Sequence, residues 1–332
     1  MASDHTLLVT GANGYIGKHI IRVALARGYN VRATARSESS FAKIRETFPG
    51  HEDQLSFVVV KDITQPDNYK DAFAGVTGVI HTASPFILKP QDIAKELLDP
   101  AIQGSVAILE AAKKYGASVK HIISTSSFAA ILDLATGYRP GYTYTEADKN
   151  PMTYEQAAVS DGATAYCASK GLAEQAMWDW VAANKPAFTL TALCPPWVFG
   201  PAVGDVELDK LGESLHSLWT LVDAKTVHPF DFGGFVDVRT IAEAHLLAYE
   251  KGDAAAGKRF LVGQHFDYPL ALELLRKEIP ELDSRLPKPE EKLELYAVDG
   301  SKAEKELGVK YIPLNVTLRD TFKQFLAAEA KA

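Results

Sequence analysis

Thr10-Gly11-Ala12-Asn13-Gly14-Tyr15-Ile16-Gly17 is the stretch that decides how this chain is read. It follows an apolar run at Thr6–Thr10 and opens a helical pattern at Ile16–Arg27 that stops near Gly28. A strand, three glycines at GxxGxxG spacing and a helix, in that order, make a turn suited to a dinucleotide pyrophosphate. Gly11 permits the tight turn, Gly14 lets the backbone approach the phosphates, and Gly17 lets helix and strand pack closely. The first N–H groups of the helix and the positive end of its dipole then face the anion. Asn13, Tyr15 and Ile16 complete the candidate contacts of this turn.

Working outward, short apolar runs alternate with helical patterns. Strands are expected at Asn30–Ala35, Leu55–Val60, Gly78–His81, Lys120–Ser124 and Phe188–Leu193. Helices are expected at Phe41–Phe48, Asp92–Tyr115 and about Ala163–Asn184. This order predicts an α/β chain with a doubly wound parallel sheet of the Rossmann type. Strands buried on both faces fit the near-continuous apolar runs. Asp133–Asp161 is rich in Thr, Tyr, Gly and Pro, has no clear period and reads as a long functional loop. Helices around Leu211–Ala224 and Thr240–Glu250, with two more near the C-terminus, suggest a smaller substrate-binding lobe. The expected division is residues 1–200 mainly for the dinucleotide, with 235–250 packing back, and 201–332 mainly for the substrate.

The end of the second strand bears on which dinucleotide binds. An NAD site usually has Asp or Glu there for the ribose 2′-hydroxyl. Here Ala35 is followed by Arg36, with Ser37 and Ser40 close behind. A guanidinium forks onto a 2′-phosphate, so NADPH/NADP+ is the expected cofactor. Arg32 is a second candidate, but strand alternation sends its side chain elsewhere. Asp62, followed by Ile63 after the third strand, is placed to meet the adenine; a plain strand-end turn also fits it.

Tyr166-Cys167-Ala168-Ser169-Lys170 is a YxxxK at the start of a strong helix. At i, i+4 the two side chains share one helix face. An ammonium ~4 Å from a phenol stabilises the phenolate by up to ~4 kcal/mol at an effective dielectric of 20. The pair therefore suits proton transfer near neutral pH. The fifth strand ends in Ser124-Thr125-Ser126-Ser127-Phe128, at the sheet edge where ligands bind in open α/β folds. Ser127, with Ser126 next, is the candidate for polarising a carbonyl oxygen. The other hydroxyls are expected to satisfy backbone groups.

Together these motifs resemble the extended short-chain dehydrogenases/reductases. The pieces are Thr10–Gly17, His81-Thr82-Ala83-Ser84-Pro85, Ser126-Ser127 and Tyr166/Lys170. Cys194-Pro195-Pro196-Trp197-Val198-Phe199-Gly200-Pro201 and Phe235-Val236-Asp237-Val238-Arg239 narrow the likeness to the dihydroflavonol reductase-like branch. Within it the chain is most similar to fungal NADPH-dependent methylglyoxal and ketone reductases. The resemblance implies Ser127, Tyr166 and Lys170 as the catalytic triad. It implies Thr82, Ala83, Pro195 and Val198 beside the cofactor, and Phe86, Phe128 and Trp197 around the substrate. It also implies reduction of a small aldehyde or ketone, of methylglyoxal, α-diketone or β-keto ester type. The competing readings are an epimerase or dehydratase acting on nucleotide sugars with retained NAD, and a non-catalytic NADPH-binding regulator.

Composition narrows the classes. The chain has 332 residues, 47% hydrophobic and 23% charged, ordinary for a soluble protein with a large core. A net charge of −7 argues against nucleic acid as the main partner. Only Cys167 and Cys194 are present, so no disulfide framework organises the fold and a reducing, cytoplasmic setting is expected. No apolar run reaches the roughly 20 residues of a membrane span. No metal site is expected, and a monomer or homodimer is.

Overall fold

The computed structural model describes residues 2–331 apart from Phe86, Leu88 and 289–292. Seven strands form one parallel sheet: β1 (Thr6–Thr10), β2 (Asn30–Ala35), β3 (Leu55–Val59), β4 (Gly78–His81), β5 (His121–Thr125), β7 (Thr189–Cys194) and β10 (Arg259–Leu261). Their order is β3-β2-β1-β4-β5-β7-β10. The order reverses direction between β1 and β4, and the C-terminal ends of those strands open the crevice that doubly wound folds use for ligands.

Alternation along each strand feeds two cores. Leu7, Val9, Ile80 and Ile123 point to one face and join residues of α1 (Tyr15–Ala26), α2 (Ser39–Thr47) and α7 (Val238–Lys251). Leu8, Val79 and Ile122 point to the other, with α3 (Asp99–Tyr115) and α5 (Gly162–Asn184). The central strands are thus covered on both faces, which is why these runs read as apolar without a period of two. Asp161 caps α5, its carboxylate accepting N–H bonds from Ala163 and Thr164 at 3.0 Å each. A cap of this kind contributes about 1 kcal/mol and fixes where the helix starts.

The remaining elements build the second lobe and the middle segment. β8 (Trp197–Phe199), β9 (Gly234–Asp237) and β11 (Gln264–His265) form a small sheet in the order β11-β9-β8. It packs with α6 (Glu213–Trp219), α8 (Tyr268–Glu278) and α9 (Leu314–Glu329) around Phe199, Phe266, Phe322 and Phe325. β6 (Thr143–Tyr144) pairs in parallel with β12 (Ala297–Val298), and α4 (Tyr154–Ala158) precedes α5. The stretch 133–161, read as loop, is therefore pinned by a strand pair made across more than 150 residues, a contact without local sequence signal.

Two further differences have physical causes. The helix expected over Asp92–Tyr115 is divided: Ala94–Leu98 is a wide π-type turn and α3 begins at Asp99. Pro100 in the first turn of α3 lacks an N–H and crowds the preceding turn, which opens the ladder there. The chain also returns to the main sheet at β10, within the segment the sequence assigns to the substrate lobe.

Candidate active site

At the strand-order reversal, Thr10 of β1 lies beside His81 of β4. The Thr10 hydroxyl oxygen accepts the N–H groups of Thr82 (3.1 Å) and Ala83 (3.2 Å) and sits 2.9 Å from His81 Nδ1. Thr82 Oγ1 donates back to the Thr10 carbonyl at 2.6 Å. The glycine turn packs directly on this strand end. Gly11 has φ +65°, and a Cβ there would lie 2.6 Å from Thr82 Oγ1. A Cβ on Gly17 would lie 2.3 Å from the Gly11 carbonyl. α1 starts immediately after, with Gly14 as its N-cap, no side-chain cap and no acid in its first turn. Its leading N–H groups are thus unopposed by any carboxylate, as an anion cradle requires. Asn13 is exposed and does not cap. Ile16 packs on the core, and the Tyr15 hydroxyl donates to the Gly200 carbonyl at 2.5 Å.

Arg36 is exposed just past β2, beside a serine cluster in which Ser37 Oγ lies 2.9 Å from Ser39 and 3.4 Å from Ser40. Among the described residues Arg36 has no ion pair, whereas Arg32 is spent on the Ala72 and Ala74 carbonyls. Asp62 forms a strand-end turn, accepting from Thr64 N (2.9 Å) and Thr64 Oγ1 (2.7 Å) through a single oxygen, Oδ1. Ile63 lies against α3, 3.2 Å from where a Cβ on Gly104 would be.

Tyr166 and Lys170 lie in the first half of α5, both half-buried. Lys170 Nζ lies 5.3 Å from the Tyr166 ring centroid and donates to Ser84 Oγ at 2.6 Å. Surrounding protein lowers the ammonium from its usual range to about 8. Burial raises the Tyr166 phenol, with the Cys167 and Glu213 side chains adding to the effect. The sequence expects the lysine to pull the phenol down. In this structure desolvation wins, because Lys170 stands over the ring face and is engaged by Ser84. The phenol therefore keeps its proton through the neutral range. Cys167 next door is buried and pushed up to about 12, which leaves it a packing residue with no thiolate at neutral pH.

The hydroxyls at the end of β5 sort themselves. Ser124 donates to Met177 Sδ at 3.5 Å, Thr125 bonds His245 Nε2 at 2.7 Å, and Ser126 donates to Glu174. Ser127 Oγ accepts the Ala129 N–H at 3.1 Å, which leaves its own hydrogen to donate. Three of the four thus satisfy side chains, where backbone partners are expected. Pro195 is buried and its carbonyl accepts the Phe128 N–H at 2.8 Å; Val198 is buried in β8.

The substrate-side aromatics divide. Trp197 is half-buried, donates its indole N–H to Asp231 Oδ1 at 2.9 Å and meets Phe232 edge-on at 5.6 Å. Phe128, which the resemblance puts beside the substrate, is fully buried among Ile131, Leu132, Tyr144 and Tyr296. It opens the 3₁₀ turn that Ser127 caps. Phe86 lies outside the described residues. The motif His81–Pro85 carries Ser84, whose bond to Lys170 the sequence does not foretell.

The NAD dependent epimerase/dehydratase family matches residues 7–263, from the first strand through β10. The chain belongs to that family. Within this epimerase/dehydratase family it is an extended short-chain dehydrogenase/reductase. It is 36% identical to the NADPH-dependent methylglyoxal reductase of Saccharomyces cerevisiae, over 98% of this chain and 99% of that one. It is 34% identical to a ketoreductase of Aspergillus niger, over 96% and 97%. Yeast methylglyoxal/isovaleraldehyde reductase, solved in complex with NADPH, superposes with a TM-score of 0.92 at 35% identity, covering 98% of this chain and all of that one.

Proposed function

We propose that this chain reduces a small aldehyde or ketone to the alcohol with NADPH. The observation that carries the reading is the placement of Lys170 Nζ, 5.3 Å from the Tyr166 ring centroid and 2.6 Å from Ser84 Oγ just past β4. The similarity to NADPH-dependent methylglyoxal reductase and ketoreductase supports the same class of substrate.

Gly11, Gly14, Gly17 and the N-terminus of α1 would hold the pyrophosphate, with Arg36, Ser37 and Ser40 at the 2′-phosphate and Asp62 and Ile63 toward the adenine. Thr82, Ala83, Pro195 and Val198 would flank the nicotinamide half. NADPH supplies the hydride when bound. Ser127 donates its remaining hydrogen bond to the carbonyl oxygen, where negative charge develops. Tyr166 gives that oxygen its proton. Lys170, held by Ser84 in this structure, would hold the ribose hydroxyls and return a proton to Tyr166. Trp197, steadied by Asp231, forms an apolar wall. Such a wall suits methylglyoxal, α-diketones and β-keto esters while discriminating weakly among them.

The test is loss of NADPH absorbance with a panel of these carbonyls, with NADH alongside. Turnover with NADPH well above NADH is the expected result. No oxidation of either cofactor would overturn the reading and favour a cofactor-binding regulator, or an epimerase if the purified protein carries NAD. In the same assay kcat/KM for NADPH falls as pH rises through about 8, as Lys170 loses its proton in the free enzyme. The break is absent in Lys170→Met.

A further inference from the structure

Eight residues beyond Tyr166 on α5, and four beyond Lys170, stands Glu174. At 6% exposure it is nearly enclosed, and a carboxylate in such a place must be paired. Its partner is Arg259 of β10, with Nε 2.5 Å from Oε1 and Nη2 3.2 Å from Oε2. Glu174 also accepts from the Ser126 hydroxyl, from the Trp178 indole N–H at 2.9 Å and from the Cys194 thiol at 3.6 Å. Arg259 spends its other donors on the Glu146, Asp148 and Ala130 carbonyls at 2.9, 2.8 and 3.3 Å. One ion pair thus joins the helix bearing Tyr166 and Lys170, the strand end bearing Ser126-Ser127 and the segment just beyond it.

We propose that Glu174 and Arg259 are positioning residues that set Ser127 against Tyr166. The reasoning rests on the reductase reading above. Ser127 is extended, with φ −156° and ψ 154°. Successive side chains of extended backbone leave on opposite sides, so the direction of Ser126 dictates that of Ser127. Glu174 holds the Ser126 hydroxyl, while the Ser126 N–H to Leu193 O (2.7 Å) and the Phe128 N–H to Pro195 O (2.8 Å) hold the backbone on either side. The carboxylate belongs to α5 itself. The donor of the hydrogen bond to the carbonyl oxygen and the donor of its proton are therefore referenced to one helix. A buried pair is weak evidence for stability, since apolar replacements often serve as well, and geometric specificity is the better reason to keep one beside a reacting centre.

The experiment compares Glu174→Gln and Ser126→Ala with the unaltered chain, with rates normalised to NADPH-binding sites. Turnover by the unaltered chain is the control for the reductase reading itself. With that in hand, kcat is expected to fall about tenfold in each variant, while KM for the carbonyl and Kd for NADPH stay within about twofold, because misplacement of a donor acts on the transition state. A purely structural role would lower the number of binding sites and leave kcat per site unchanged; that result overturns the proposal. Ser126→Ala removes one hydroxyl at a half-buried position. If Glu174→Gln does not fold, Ser126→Ala decides alone, and kcat within twofold of the unaltered chain overturns the proposal.

Discussion

Replacing Tyr166 with phenylalanine is expected to lower kcat about a thousandfold, equivalent to ~4 kcal/mol of barrier, within the range of general acid catalysis. The ring stays, so packing on α5 and the contact with Lys170 are kept, and Kd for NADPH by fluorescence titration is expected to remain within about twofold. Only the proton donor is lost. The effect is large because the Tyr166 phenol is the O–H donor on the helix face it shares with Lys170, whose Nζ lies 5.3 Å from the ring centroid. Among its neighbours, Ser127 is engaged by the Ala129 N–H and the Cys167 thiol is buried. Turnover of Tyr166→Phe near that of the unaltered chain would remove Tyr166 from the mechanism.

Arg36→Ala is expected to cost about thirtyfold in kcat/KM for NADPH and to leave NADH nearly unchanged, the measure of one lost charge-assisted contact. Arg36 is exposed and, among the described residues, holds no ion pair. No internal partner must be broken before it meets a phosphate, and its loss disturbs no core. Salt should shrink the difference between the cofactors, because an exposed guanidinium is screened. Equal losses with NADPH and NADH would mean that Arg36 supports the fold of the turn and does not select the cofactor. The serines at 37, 39 and 40 would then be the remaining donors at that edge.

The sheet was legible because its strands are enclosed on both faces. Runs such as Leu7-Leu8-Val9 and Val79-Ile80 serve two cores at once, and this leaves a mark in the local sequence. The glycine turn was legible for a related reason: a single added carbon would strike Thr82 Oγ1 at Gly11 and the Gly11 carbonyl at Gly17, so residue type alone reports the geometry. The spacing of Tyr166 and Lys170 translates directly into a shared helix face. The full burial of Phe128 was not legible, because a large aromatic has the same composition in a core as in a pocket wall. The pairing of β6 with β12 and the return of β10 to the sheet join segments far apart in the chain, and no local pattern encodes them.

By itself, then, the sequence determined the class of fold, the glycine turn between the first strand and helix, the arginine just past the second strand and the tyrosine–lysine pair on one helix face. Each depends on spacing within about eight residues, and over that span backbone geometry converts order into position. Tertiary structure alone decided which of four hydroxyls at the end of β5 keeps a proton to give, that Ser84 engages Lys170, that desolvation outweighs the lysine at Tyr166, and that Glu174 meets Arg259 across 85 residues. These depend on which surfaces lose water together, and that is a property of the packed chain rather than of any segment of it.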